Sequence, residues 1–263
     1  MFAQSHAYEP FMGRWSRRLA PLFVEFAGVH DGESVLDVGS GTGAVAAAIA
    51  EAHPGAHVTG VDPAQELVSA ARQRSAGRGI RFVVGDAQRL DFSDGTFDRA
   101  LSLLALNFMS DPARALAEQI RVTRPGGLIA AAVWDYGDGM QMLRAFWNEA
   151  VAADPAADAR DERHMPLCRH GELSALWLSQ GMLAVGERPL TIEQPFASFE
   201  DYWQPFLGGQ GPAGSYVASL STAARTRLCD SLRRRLADEH GNGGPFVLTA
   251  RAWAVKGYSP ARA

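Results

Sequence analysis

The sequence predicts an α/β protein built on a mostly parallel sheet with helices on both faces. Short apolar segments alternate with helical segments from residue 34 to residue 134, and the connections between them are only a few residues long. A glycine-rich loop follows the first apolar segment. Apolar strands that alternate with helices indicate a parallel sheet whose two faces are both covered.

The first elements can be justified from local patterns. Apolar residues at helical spacing predict an N-terminal helix that Gly28 ends. Alanine dominates residues 44–52 and predicts a second helix. Asp62-Pro63 and Asp111-Pro112 each predict a helix start, because aspartate caps helices and proline fits their first turn. Five apolar segments predict strands: 34–38, 56–61, 80–84, 97–104 and 128–134.

The regular alternation of strands and helices ends after residue 135. Helices are expected there over 140–153, 172–180 and 199–207, a strand over 182–192, and a flexible glycine loop over 208–214. Ser221 is expected to cap an amphipathic helix, and residues 246–255 form a last strand. We therefore expect four regions: a helical lid (1–30), a cofactor-binding core (31–135), a variable substrate-binding cap (136–245), and a final strand with its tail (246–263).

Composition excludes several classes of protein. The 263 residues carry 25 basic and 29 acidic side chains, a net charge of −4, whereas dedicated nucleic-acid binders usually carry a basic excess. The longest apolar runs are about seven residues, and a membrane span needs about 20. The N-terminus lacks a signal-peptide pattern, and Cys168 and Cys229 form no metal-spaced motif. A cytoplasmic enzyme without a metal site is expected, and its oligomeric state stays open.

The glycine loop Gly39-Ser40-Gly41-Thr42-Gly43 lies between a predicted strand and a predicted helix. Glycines let a ligand approach the backbone, and the helix N-terminus behind them favours negative charge. The loop also fits the dinucleotide pattern G-x-G-x-x-A through Ala44. Asp62, at the end of the second strand, would hold ribose hydroxyls whether the ligand is a dinucleotide or a nucleoside with a sulfonium amino acid.

Two carboxylates and one turn separate these alternatives. Asp37 precedes the loop by two residues; it would repel a pyrophosphate but attract a cationic sulfonium amino acid. Asp86 ends the third strand, where it can accept an N–H from an adenine amino group. The turn over residues 124–127 directly precedes the fifth strand. Together they favour the sulfonium cofactor.

Four segments carry a resemblance to a known family: VLDVGSGTG (35–43), VTGVDPAQELV (58–68), VVGDAQRLDFSDGTFDRALSLLAL (83–106) and RVTRPGGLIAAAVW (121–134). They resemble the successive motifs of class I S-adenosylmethionine-dependent methyltransferases, closest to the ubiquinone/menaquinone-biosynthesis type and its small-molecule relatives. The resemblance covers roughly residues 8–135 and returns near 250. It implies a Rossmann-like, seven-stranded sheet, a small helical cap after the fifth strand, and methyl transfer from S-adenosyl-L-methionine to an O, N or C atom of a small molecule.

The resemblance also implies roles for individual residues. Gly39, Gly41 and Thr42 would wrap the methionine moiety, with Ser40 and Gly43 in the same loop. Asp62 would hold both ribose hydroxyls, with Pro63 beside the adenine, and Asp86 and Ala87 would contact the adenine edge. Leu103, also expected at the cofactor, lies where quinone-pathway enzymes often carry serine, which argues against a quinone substrate. The N-terminal helix would fold over the cofactor, where Tyr8, Arg14 and Trp15 would close the site and Arg14 would pair with the methionine carboxylate. Alternatively, Trp15 belongs to the core and Arg14 faces solvent.

Catalytic residues are less defined. Asn107 follows the fourth strand and would orient an acceptor or cap a turn. His164 and His170 are candidate general bases, although exposed histidines are common. Aromatic residues are frequent between 134 and 206 and predict an aromatic-lined pocket or the core of the cap. Two other functions fit the same sequence: an NAD(P)-dependent oxidoreductase, because of the glycine loop, and a non-catalytic cofactor-binding protein, because no base is evident.

Overall fold

A computed structural model describes residues 12–241 and 244–261 of the chain. Within these residues a seven-stranded sheet has the order β3-β2-β1-β4-β5-β7-β6, which confirms the predicted fold class. Strands β1 to β5 are parallel, and β7 runs antiparallel to both β5 and β6. The strands are β1 (Ser34–Val38), β2 (His57–Asp62), β3 (Arg81–Val84), β4 (Phe97–Leu103), β5 (Thr123–Trp134), β6 (Leu183–Phe196) and β7 (Phe246–Tyr258).

Nine α-helices surround the sheet in the described part of the chain. They are α1 (Arg14–Ala27), α2 (Ala44–Ala52), α3 (Gln65–Arg74), α4 (Pro112–Val122), α5 (Gln141–Ala153), α6 (Glu172–Ser179), α7 (Phe199–Trp203), α8 (Gly211–Ser219) and α9 (Thr222–His240). Each of these helices is too short or too polar to span a lipid bilayer.

Local signals set several helix ends as expected. Gly28 adopts a left-handed conformation at φ 63° and ends α1, because glycine takes this conformation without steric cost. The Asp111 carboxylate accepts from the backbone N–H of Arg114 at 2.9 Å and caps α4 ahead of Pro112. Ser221 caps α9 by accepting from the N–H of Ala224 at 3.3 Å. These caps satisfy N–H groups that have no partner within the helix.

The strand order positions the functional site. The chain moves outward from β1 to β3 and then returns to the other side of β1 with β4. Because such crossovers are right-handed, α2 and α3 cover one face of the sheet and α4 covers the other. A crevice forms where the order reverses, at the carboxyl ends of β1 and β4, and ligands of open α/β sheets bind in such crevices.

Three expectations are corrected by the structure. Strand β6 pairs with β7 at one edge of the core sheet, so residues 136–245 are not only a cap: they also complete the sheet. Residues 208–214 are not a flexible glycine loop, since α8 begins at Gly211. Asp62 does not cap α3, which begins at Gln65 after Ala64. The division into four regions otherwise stays an expectation.

Candidate functional site

A cavity of about 440 Å³ opens at the carboxyl ends of the parallel strands. It is lined by the loop after β1, the ends of β2 and β3, the turn after β4, the end of β5, and one turn near the start of α1. Ten of the predicted cofactor residues line it: Asp37, Gly39, Ser40, Gly41, Thr42, Asp62, Pro63, Asp86, Ala87 and Leu103. The topology thus brings together residues that are up to 66 positions apart in the chain (103 − 37 = 66).

The glycine loop is held against β2 and the turn after β4. The N–H groups of Gly39 and Ser40 both donate to the Val61 carbonyl, at 2.8 and 3.0 Å. Gly39 has φ 73°, and a Cβ placed on it would lie only 2.4 Å from the Cβ of Ala105. Gly41 has φ 52° with no atom within 4 Å of such a Cβ, so this backbone faces open space in the cavity. Only glycine satisfies both positions without strain.

Asp62 links this loop to the end of β2. One carboxylate oxygen accepts from the N–H of Gly41 at 2.9 Å, and the other accepts from the N–H of Ala64 at 2.9 Å. Burial raises the pKa of Asp62, and these two backbone donors oppose that rise. Each carboxylate oxygen can accept a further hydrogen bond, so a pair of ligand hydroxyls can still bind.

Asp37 is a buried carboxylate at the wall of the cavity. The residue lines the cavity although it is only 1% exposed. Burial raises the pKa of Asp37 to about 7; the charge of Asp62 adds to the rise, and a hydrogen bond from the Ala46 N–H opposes it. Its Oδ2 atom has no hydrogen-bond partner among the described residues. A cation in the cavity would compensate the cost of this buried charge.

The third carboxylate, Asp86, lies at the rim after β3 and is exposed. It accepts from the N–H of Gln88 at 2.9 Å. The side-chain amide oxygen (Oε1) of Gln88 in turn accepts from the Ser110 hydroxyl and from the backbone N–H of Asp111, both at 3.0 Å. These bonds tie the end of β3 to the turn after β4 and complete this wall of the cavity. Sequence reasoning missed Gln88 and Ser110, because nothing in the local pattern indicates that they meet.

The rest of the cavity lining is mainly apolar and aromatic. Met12 and Ser16 reach it from the N-terminal segment, Phe108 from the turn after β4, and Trp134 and Tyr136 from the end of β5. Trp134 is 1% exposed and packs edge-on against Trp15 at a ring distance of 6.4 Å. Leu104, another lining residue, has φ 59°, an uncommon conformation for leucine. Ser16 and Phe108 were not predicted, whereas Trp134 and Tyr136 belong to the aromatic residues expected at the pocket.

Several candidates lie elsewhere. Arg14 does not line the cavity: it donates to Asp201 at 2.9 Å and to the Pro195 carbonyl at 2.9 Å, so the structure gives no support for its pairing with a methionine carboxylate. Trp15 is fully buried behind Trp134 rather than at the cavity surface. Gly43 packs against β3 instead, where an added Cβ would lie 3.0 Å from the Phe82 ring. Tyr8 falls outside the described residues.

The three catalytic candidates also lie away from the cavity lining. Asn107 is buried, and its amide nitrogen contacts the Met165 sulfur at 3.8 Å. His164 is an exposed partner of Asp158 at 3.1 Å, and exposed His170 packs against the Trp253 ring. The aromatic residues beyond 136 pack with one another in the cap, as Phe146 does on Phe206 at 4.6 Å. No histidine, lysine or arginine of the described chain lines the cavity.

Comparisons with known proteins agree with this geometry. A family model described as a methyltransferase domain matches residues 36–131. The chain is 39% identical over 114 residues to a ubiquinone/menaquinone biosynthesis C-methyltransferase of Desulfotalea psychrophila, which covers 43% of this chain and only 45% of that protein. It is 33% identical over 175 residues to a demethylmenaquinone methyltransferase of Beutenbergia cavernae, covering 62% and 71% of the two chains.

Two further matches extend over most of the chain. An uncharacterized protein of Mycobacterium tuberculosis is 31% identical over 240 residues, covering 88% of this chain and 86% of that protein. Among solved structures, a putative methyltransferase of Bacillus halodurans superposes with a TM-score of 0.61 at 19% identity, covering 92% of this chain and 99% of that one. Because the identity to the Bacillus halodurans structure is only 19%, this similarity shows the fold alone.

Proposed function

Because this chain belongs to the class I S-adenosylmethionine-dependent methyltransferases, we propose that its cavity binds S-adenosyl-L-methionine and presents the methyl group to a small-molecule acceptor. The NAD(P)-dependent alternative is not favoured, since the family model and the named relatives are methyltransferases. The observation that carries the proposal is the buried, partly unpartnered carboxylate of Asp37 in a cavity without a described cation.

The residues of the cavity fit this cofactor. The backbone at Gly41 leaves open space that a side chain at this position would fill. Asp62 offers carboxylate oxygens that remain able to accept from ribose hydroxyls. Asp37 supplies the negative charge that a cationic amino acid moiety requires. A dinucleotide would instead place its pyrophosphate near two buried carboxylates, which costs Coulomb energy.

Each residue has a proposed task. Asp62 binds the ribose and also fixes the glycine loop, because the same carboxylate accepts from Gly41. Asp37 orients the amino acid moiety, and the exposed Asp86 contacts the adenine edge. When bound, the cofactor supplies an electrophilic methyl group on a positively charged sulfur.

The acceptor end contributes position rather than acid–base chemistry. Its described walls hold no histidine, lysine or glutamate. Holding an acceptor in line with a reactive group is worth about 7–11 kcal/mol of the barrier, so no dedicated base is required. The rigid packing of Trp134 on Trp15 suits such a positioning role.

Calorimetric titration tests the proposal. S-adenosylhomocysteine and S-adenosylmethionine should bind with dissociation constants on the order of micromolar, and NAD should give no comparable binding. Asp62→Ala should weaken cofactor binding at least tenfold, because charge-assisted hydrogen bonds are each worth about 1.5–3 kcal/mol. Asp158→Ala removes a half-exposed carboxylate outside the cavity lining and should leave the affinity unchanged. Tight NAD binding without a response to either S-adenosyl compound would contradict the assignment.

A further inference from the structure

Gln88 joins two walls of the cavity. The residue lines the cavity in the turn that follows β3, and it is half-buried. Its side-chain oxygen Oε1 accepts from the Ser110 hydroxyl and from the backbone N–H of Asp111, both at 3.0 Å. Its backbone carbonyl accepts from the guanidinium of Arg114 at 2.9 Å. Three hydrogen bonds therefore attach residue 88 to the segment in which α4 begins.

These contacts also determine which way the Gln88 amide points. The backbone N–H of Asp111 can only donate, so the amide atom that it contacts must be the oxygen. The other amide atom, the nitrogen Nε2, then lies 3.4 Å from Oδ1 of Asp86. The side chain thus accepts from the start of α4 and directs its donor toward the carboxylate at the end of β3.

Gln88 contacts one oxygen of the Asp86 carboxylate and leaves the other available. The backbone N–H of Gln88 donates to Oδ1 at 2.9 Å, within a turn that is closed by a bond from the N–H of Arg89 to the Asp86 carbonyl at 3.0 Å. No hydrogen bond from a described residue reaches Oδ2, so this oxygen can accept from a ligand amino group. Because Asp86 is exposed, anchoring its turn before binding lowers the entropic cost of ordering it.

We propose that Gln88 is a positioning residue for the cofactor: its bridge to the start of α4 holds the Asp86 carboxylate so that the cavity prefers a purine with an amino group over one with an oxygen in its place. This inference rests on the proposed function, which places the adenine edge at Asp86. It goes further, because it assigns selectivity for the base to a residue that acts through Asp86. An amino group donates to a carboxylate, whereas an oxygen would leave two acceptors facing each other.

Two ligands that differ in a single group test this selectivity. S-Adenosylhomocysteine carries the adenine amino group, and S-inosylhomocysteine carries an oxygen there. Both are titrated by calorimetry into the natural protein and into Gln88→Met, which keeps the length of the side chain but loses the amide. Gln88→Glu keeps an oxygen that can accept from Ser110 and Asp111. Gln141→Met is the matched control, because Oε1 of Gln141 also accepts from a backbone N–H, that of Thr249 at 2.6 Å, and Gln141 does not line the cavity.

The natural protein should bind the S-adenosyl ligand at least about tenfold more tightly than the S-inosyl ligand, because a hydrogen bond to a charged group is replaced by repulsion. Gln88→Met should reduce this ratio of affinities at least about threefold, because Asp86 is no longer held. Gln88→Glu should not reduce it, since the bridge persists and a negative charge beside Asp86 favours a donor. Gln141→Met should leave the ratio unchanged.

Three outcomes would overturn the inference. An equal loss of affinity for both ligands in Gln88→Met would show that Gln88 only supports the fold, and an unchanged ratio would show that it does not position Asp86. A ratio in Gln88→Glu as low as that in Gln88→Met would show that the bridge is not the cause. The proposed function is tested separately: failure of S-adenosylhomocysteine to bind the natural protein contradicts that function, whereas binding without selectivity for the base contradicts the role of Gln88 alone.

Discussion

Above pH 7, Asp37→Asn should stabilise the cofactor-free protein, although it removes a residue proposed to bind the cofactor. Burial raises the pKa of Asp37 from 3.8 to about 7. A carboxyl group whose pKa is raised by folding does not lower the free energy of unfolding well below pH 3.8, because the group is protonated there in both the folded and the unfolded states. The cost grows as pH rises through this range and is complete above pH 7.

The magnitude follows from this difference in pKa. About three pH units at 1.36 kcal/mol each give a cost of about 4 kcal/mol at pH 8, and only about 2 kcal/mol at pH 5. The asparagine amide has its own cost of burial, about 1–3 kcal/mol, but this cost does not depend on pH. The stability of the variant relative to the natural protein should therefore rise by about 2–3 kcal/mol between pH 5 and pH 8.

Urea denaturation of both proteins at the two pH values measures this change. Asp86→Asn provides the control: the residue is exposed, and its substitution should change the free energy of unfolding by less than about 0.5 kcal/mol at either pH. A stability difference for Asp37→Asn that stays the same at pH 5 and pH 8 would refute the reasoning. Cofactor affinity should fall in the same variant, as expected where a binding site retains a destabilising charge.

Two further substitutions test the packing of the site. Gly39→Ala should lower the free energy of unfolding by about 2–4 kcal/mol, because residue 39 has a positive φ and the new Cβ would lie 2.4 Å from the Cβ of Ala105. Gly77→Ala is the control in the same urea titration: Gly77 also has a positive φ, 81°, but no atom lies within 4 Å of the new Cβ. This variant should lose only about 1 kcal/mol. Arg14→Ala should leave S-adenosylhomocysteine affinity within about twofold in calorimetry and cost less than about 1 kcal/mol of stability, since its partly exposed ion pair is with Asp201. A tenfold loss of affinity would instead support the expected contact between Arg14 and the methionine carboxylate.

The cofactor half of the site could be predicted because its signals are local. The loop over residues 39–43 joins a strand to a helix in one continuous segment, and Asp62 ends the next strand. In a parallel sheet such strand ends meet at one edge, so adjacency follows from the alternation of elements alone. The role of Asp62 in holding Gly41 was not predictable, because the sequence allowed a helix cap instead.

The sequence by itself determined the parallel core, the position of the glycine loop, and the family, since each depends on spacing within a short stretch of chain. Only the tertiary structure decided which distant residues meet. Arg14 contacts Asp201, 187 positions away, and Met12 shares a cavity with Trp134. Long-range packing also decided that Asp37 is buried and that its Oδ2 atom has no hydrogen-bond partner in the described part of the chain. Such contacts depend on how whole elements pack. The hydrophobic periodicity of one element does not specify which residues of another element it will contact.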